Sequence, residues 1–331
     1  MKIYNLPTGK LLVDNYTKGK LETLSIGDYG KEHNIKADFL GYDREINGVP
    51  NIPTKPLSEK WVITLSTQYG CSLSCNFCDC PKVPFKGDVS FTDLLIQFNN
   101  AIKLYPDVKY TDRLNVHFAR MGEPMFNFNN VYKFSEWLYY NKSKITNELR
   151  VEVVHPVFTT TVPKFAKVWE NLNKWCHLKN NIYNGQAGLQ LSINSTNEKQ
   201  RNNMFNGKVT ELGSLSLMGK RLPNPIGRKY CLNFAYSNEF EIDANKLKEL
   251  FNPDKFMVKI TPIHNNNACK NNNIETLNGY VSYDSYREVE NNLKGEGFDV
   301  LVFIPSFDEE NSLITCGNAI LSGSEIKIKG S

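Results

Sequence analysis

Trp61-Val62-Ile63-Thr64-Leu65 leads directly into Cys71-Ser72-Leu73-Ser74-Cys75-Asn76-Phe77-Cys78. The first run is apolar and rich in β-branched side chains, the pattern of a strand. The second spaces three cysteines as C-x3-C-x2-C in a short polar stretch, which places them on a loop. An amphipathic segment over residues 91–105 then reads as a helix. Strand, cysteine loop and helix form the opening unit of a longer alternation.

Strand-like segments recur at 114–118, 150–154, 189–193, 232–236, 256–260 and 300–304. Helical patterns lie between them near 130–140, from Pro163 towards Trp175, past Arg201, over 243–251 and over 283–293. About seven such βα units predict an α/β fold whose parallel sheet forms a partial or complete βα barrel. Residues 1–55 differ. Their short apolar stretches (10–13, 21–26, 35–40) are broken by glycines and read as a β meander, with Pro50, Pro53 and Pro56 marking a linker. The expected organisation is a β-rich N-terminal extension over 1–55, a barrel core over 56–307 and a tail over 308–331. The asparagine-rich stretch 265–273 reads as a solvated polar loop.

Composition narrows the class. With 331 residues, 40% hydrophobic and 22% charged, the chain is globular rather than disordered. No apolar run approaches the ~18 residues of a membrane span, and the first residues do not read as a signal peptide. A cytoplasmic, monomeric protein without membrane association is expected. A net charge of +4 permits a polyanionic partner without requiring one. Clustered cysteines in such a setting point to metal or catalysis rather than disulfides.

Cys71, Cys75 and Cys78 can wrap one cubane [4Fe–4S] cluster and leave its fourth iron open to a chelating ligand. The rival is structural zinc with Cys80 as fourth donor, although four thiols within ten residues are cramped for a tetrahedron.

C-x3-C-x-Phe-C after the first strand of a βα barrel resembles the radical S-adenosylmethionine (SAM) superfamily. That resemblance implies a cluster whose open iron binds SAM, with Phe77 packed near the adenine. A narrower likeness lies in His117-Phe118-Ala119-Arg120-Met121-Gly122-Glu123-Pro124-Met125-Phe126-Asn127, which resembles the M-G-E-P-L-x-N stretch of the RlmN/Cfr adenine methylases. Gly122 and Glu123 are then implied beside the SAM ammonium, where a carboxylate makes a charge-assisted hydrogen bond. Further segments follow in the family's order. Thr159-Thr160-Thr161-Val162-Pro163 implies Thr159 or a neighbouring hydroxyl as a SAM contact. Leu191-Ser192-Ile193-Asn194, with Arg201 after it, implies Ser192. Ile260-Thr261-Pro262-Ile263-His264-Asn265 implies His264 or Asn265, and Thr315-Cys316-Gly317-Asn318-Ala319 implies Cys316 as methyl carrier.

The resemblance implies an RNA base or nucleotide as substrate and a flavodoxin- or ferredoxin-type reductant. Two departures stand out. The family's helical RNA-binding domain has no counterpart in the β-like residues 1–55. Thr64 occupies the place, seven residues before Cys71, of the cysteine that releases product from the carrier. A hydroxyl forms no such disulfide. Non-methylating radical chemistry on a smaller substrate, and a zinc-dependent nucleic-acid-binding module, are the competing readings.

Overall fold

The computed structural model describes residues 1–6, 8–27, 55–142, 145, 149–275, 283–305, 309, 311–314 and 319–326. Twelve strands are described: β1 (Lys2–Leu6), β2 (Gly9–Tyr16), β3 (Gly19–Gly27), β4 (Lys60–Leu65), β5 (Gln68–Tyr69), β6 (Gly87–Asp88), β7 (Tyr110–Phe118), β8 (Arg150–Thr160), β9 (Gly188–Ser192), β10 (Tyr230–Tyr236), β11 (Phe256–Pro262) and β12 (Val300–Val302). The helices are α1 (Phe91–Lys103), α2 (Phe128–Tyr140), α3 (Val168–His177), α4 (Glu198–Met204), α5 (Leu212–Arg221), α6 (Ala244–Leu250), α7 (Asn267–Asn271) and α8 (Asp284–Gly295).

Ten strands form one sheet in the order β1-β2-β3-β4-β7-β8-β9-β10-β11-β12. Every neighbour from β4 onward is parallel, and each crossover carries at least one helix, so the predicted βα alternation is present. Among the described residues no ladder joins β12 back to β1. Pro163 does not open a helix; α3 begins at Val168. The sequence reading passed over α5 altogether.

Alternation with period two divides the sheet. On β11, Phe256, Val258, Ile260 and Pro262 are buried, while Met257, Lys259 and Thr261 are half-buried. The outward set packs under the helices. There Phe98, Phe118, Phe134, Phe158 and Trp175 meet edge-on or tilted, with Phe158 and Trp175 centroids 4.9 Å apart. Burying an aromatic side chain of this kind contributes about 1.5–3 kcal/mol from area alone. The inward set mixes polar with small or apolar residues, and at the strand ends its polar members face a cavity.

The N-terminal strands continue the same sheet. β3 pairs antiparallel with β4, Leu24 opposite Thr64. The hairpin also bonds to α1, through Thr23 Oγ1 donating to Gln97 Oε1 (3.1 Å) and Ser25 Oγ donating to the Ala101 carbonyl (3.0 Å). The third apolar stretch, 35–40, lies outside the described residues. No helix among the described residues is long and apolar enough to cross a membrane.

Candidate functional site

The site is built where parallel strands end. After β4 the chain is pinned to the turn after β7, with the Thr67 and Gln68 amides both donating to the Met121 carbonyl (2.7 and 3.2 Å). Gly122 sits at φ +94°, and a Cβ there would fall 2.5 Å from Gln68 Cβ, so conformation and space both require glycine. The Gln68 side chain is a hub. Its Oε1 accepts from the Glu123 amide (3.0 Å), the Ser72 amide (3.3 Å) and Ser72 Oγ (3.1 Å), while Nε2 donates to Asp88 (2.8 Å). Sequence reading missed Gln68. Its only signal was its place between the strand and the first cysteine.

Glu123 is buried, and its oxygens are occupied by its own chain. Oε1 accepts from the Met125 amide (2.9 Å), and Oε2 accepts from the amide and hydroxyl of Thr161 (both 2.9 Å). Burial raises its carboxyl above the usual range, and those hydrogen bonds pull the other way. A cation arriving at this carboxylate would favour its charged form. Next to Thr161, the buried Val162 has φ 58°, a left-handed conformation that strains a β-branched residue by about 1–3 kcal/mol.

Arg201, also buried, gathers two strand ends. Nη1 donates to the Thr210 carbonyl (2.7 Å), and Nη2 to the carbonyls of Thr161 (3.0 Å) and Ser192 (3.5 Å). Burial pushes its guanidinium down to about 10.

These elements enclose a cavity of about 260 Å³ lined by Cys71, Cys75, Cys78, Phe77, Gly122, Glu123, Thr159, Ser192 and His264, with His117, Gln190, Asn233 and Lys259 below. Asn265 is exposed and is not among the lining residues, so of the pair His264/Asn265 it is His264 that faces the cavity. Cys316 lies outside the described residues. Thr64 is half-buried and stands opposite His117 in register.

The three loop cysteines are half-buried on one wall; Cys80 also lines the cavity but is buried, with Sγ 3.5 Å from the Arg120 carbonyl. A hydrogen bond with Cys78, then burial, raises the Cys80 thiol and keeps it protonated. Among the described residues no three His, Cys, Asp or Glu side chains converge to hold a single metal ion. A cubane takes each thiolate on a separate iron, so its ligands stand farther apart than those of one zinc. Phe77 leans edge-on against Phe205, centroids 5.4 Å apart, and closes the cavity beside the cysteines.

Arg120 anchors the rim. It forms a buried ion pair with Glu22 of β3 (2.6 Å), and its Nη1 donates to the Leu313 carbonyl (2.7 Å). Glu22 also accepts from the Leu321 amide (2.7 Å), so the N-terminal extension holds described parts of the tail beside the cysteine loop.

No family model matches the chain. It is similar to a probable dual-specificity RNA methyltransferase RlmN from Petrotoga mobilis, 27% identical over 212 residues, covering 62% of this chain and 55% of that protein. It is similar to the dual-specificity RNA methyltransferase RlmN of Pseudomonas fluorescens, 26% identical over 261 residues, covering 75% of this chain and 61% of that protein. The chain spans about half the length of the curated relatives it matches. A radical SAM methyltransferase from Sphaerobacter thermophilus shares the fold, with a TM-score of 0.65 at 14% identity over 96% of this chain and 80% of that one. The likeness to RlmN methyltransferases carried by the motifs is therefore carried by the wider sequence too, and the fold is that of a radical SAM methyltransferase.

Proposed function

We propose that this chain is a radical SAM enzyme in which Cys71, Cys75 and Cys78 hold a [4Fe–4S] cluster and the adjoining cavity takes SAM. The substrate is an RNA base or nucleotide, which the enzyme methylates or otherwise alkylates. One observation carries the reading. Residues singled out by motif in separate parts of the chain (Cys71 to Cys78, Gly122-Glu123, Thr159, Ser192, His264) line a single cavity at the C-terminal ends of the parallel strands. That end is where βα-barrel sites lie.

When bound, the reduced cluster and SAM together supply a carbon-centred radical. The chain's own residues bind and orient. Glu123 offers a buried carboxylate, held in place by Met125 and Thr161, to an ammonium group. Phe77 excludes water from the cysteine wall. Gln68 ties the cysteine loop to Gly122-Glu123, so the two halves of the site keep one geometry.

Thr64 favours a second reading, non-methylating radical chemistry on a smaller substrate, because the position on β4 offers no thiol. Cys80 is the nearby alternative thiol, but it is buried and its proton is held by the hydrogen bond with Cys78 and by burial.

Anaerobic reconstitution with iron and sulfide, then SAM and dithionite, tests both. The expected product is 5′-deoxyadenosine. Replacing Cys71, Cys75 and Cys78 by Ala together should remove iron and SAM cleavage in parallel. Normal iron and sulfide in that variant would overturn the assignment. A methylated nucleotide product would decide against the second reading.

A further inference from the structure

The asparagine-rich stretch has no part in the proposed chemistry, and its composition reads as a solvated loop. Asn265, Asn267, Asn271, Asn272 and Asn273 are exposed, as that reading expects, and three residues depart from it. Asn266 and Ala268 are buried and Cys269 completely so, in the short helix α7 packed behind the cysteine loop. Asn266 Nδ2 donates to the Phe77 carbonyl (2.9 Å), and Asn272 Nδ2 donates to the Asn76 carbonyl (2.8 Å).

A second set of donors arrives from the segment around α4. Asn206 Nδ2 donates to the Ser74 carbonyl, and Lys208 Nζ to the Ser72 carbonyl (3.3 Å). Asn76 answers in kind, its amide donating to the Met204 carbonyl (2.9 Å) and its Nδ2 to the Asn203 carbonyl (2.9 Å). Directly after Cys78, the buried Asp79 carboxylate accepts from the Ala268 amide (3.0 Å) and the Asn267 amide (3.3 Å).

A loop that turns three thiols to one wall has little regular backbone pairing available to it; its Phe77 carbonyl is bonded in a partly buried setting, and those of Ser72, Ser74 and Asn76 are bonded at the surface. Here side chains from residues remote in sequence provide the donors. Freezing such a loop only when a ligand arrives would subtract from ligand affinity, and freezing it beforehand removes that loss.

We propose that Asn206, Asn266 and Asn272 are positioning residues that hold Cys71–Cys78 in its ligand-presenting shape before iron is bound. The proposal rests on the reading of these cysteines as cluster ligands. Asn266 allows a clean separation of roles, because its Oδ1 also accepts from the Cys269 amide (2.8 Å) and caps α7. Asn266→Asp keeps the capping oxygen and replaces the donor to Phe77 by an acceptor, leaving that carbonyl only the Cys269 thiol at 3.4 Å.

The test is hydrogen exchange on iron-free protein, followed by reconstitution. Asn266→Asp and Asn272→Ala are each expected to speed exchange of the 71–78 amides at least tenfold, with β8 amides and circular dichroism unchanged. After reconstitution a chelator should strip iron at least fivefold faster, and the electron paramagnetic resonance of the reduced cluster should broaden. Asn272→Gln, which restores an amide donor, should recover most of both. Unchanged loop exchange in both variants would overturn the proposal. So would faster exchange with wild-type iron retention. If wild-type protein takes up no iron, the cluster reading falls, and the exchange measurement still decides the clamp.

Discussion

The convex and concave faces of the parallel sheet are made by alternate residues of the same strands, yet they do opposite work. Outward positions such as Phe118, Phe158 and Phe234 are fully buried under helices, whereas inward positions such as His117, Thr159 and Asn233 line the cavity. In a closed βα barrel the interior is itself a packed core. Here the inner face stays packed lower down, around His155 and Val157, and opens into a cavity only at the strand ends, where it is free to carry polar chemistry.

The sharpest way to break this comparison is on the convex side. Trp175 is fully buried, stacks near Phe158 and donates its indole N–H to the Gly188 carbonyl (2.9 Å). Trp175→Ala should cost about 3–5 kcal/mol in urea unfolding. A loss below about 1 kcal/mol would mean that the outer layer does not carry the fold.

The rim between the two faces comes next. Arg120→Met leaves the Glu22 carboxylate buried without its cation, for an expected loss of about 3–5 kcal/mol. The double variant Glu22→Gln/Arg120→Met should recover part of it, and a simple sum of the single effects would contradict a direct coupling.

A smaller effect lies within β8. His155 is buried on β8 beside Gln186, and burial, then the charges of Arg113, Arg228 and His117, hold its imidazole well below 6.5. Above that pH both folded and unfolded chains carry it neutral. As pH falls below about 6.5 the unfolded chain gains a proton that the folded chain refuses, so stability drops by up to about 1.4 kcal/mol per pH unit. Unfolding at pH 7, 6 and 5 should show this slope, and His155→Gln should flatten it; an unchanged slope would assign the acid limb elsewhere.

The smallest stability effect is expected on the concave face. Gln190 lines the cavity and accepts from Thr159 Oγ1 (3.4 Å). Gln190→Ala should change stability by less than about 0.5 kcal/mol. It should nevertheless lower SAM cleavage at least tenfold. Stability loss comparable to Trp175→Ala would erase the distinction between the faces.

Much of this was legible locally. Apolar runs of strand length and the intervening amphipathic segments announced the βα alternation, and C-x3-C-x2-C announced a cluster of thiols. Gly122-Glu123 stood out by motif, and its geometry supplies the reason, since the positive φ and the contact with Gln68 leave no room for a side chain. Gln68 left no signal beyond its place between the strand and the first cysteine, because a glutamine there looks like any polar residue. The asparagine-rich stretch misled at Asn266 for the same reason. Polar composition describes a residue's preference for partners, and the buried Asn266 finds one in the backbone of another loop rather than in water.

The sequence by itself determined the periodicities, the spacing of the thiols and the glycine at the turn, since each is set by residues close together along the chain. Tertiary structure alone decided which distant groups meet. Asn266 and Phe77 are 189 residues apart, and Glu22 and Arg120 are 98 apart. A hydrogen bond over such separations has no period or local propensity to betray it. Only the folding of the sheet, which brings the loops after β4 and β11 together and sets β3 beside the turn after β7, gives those donors and acceptors their partners.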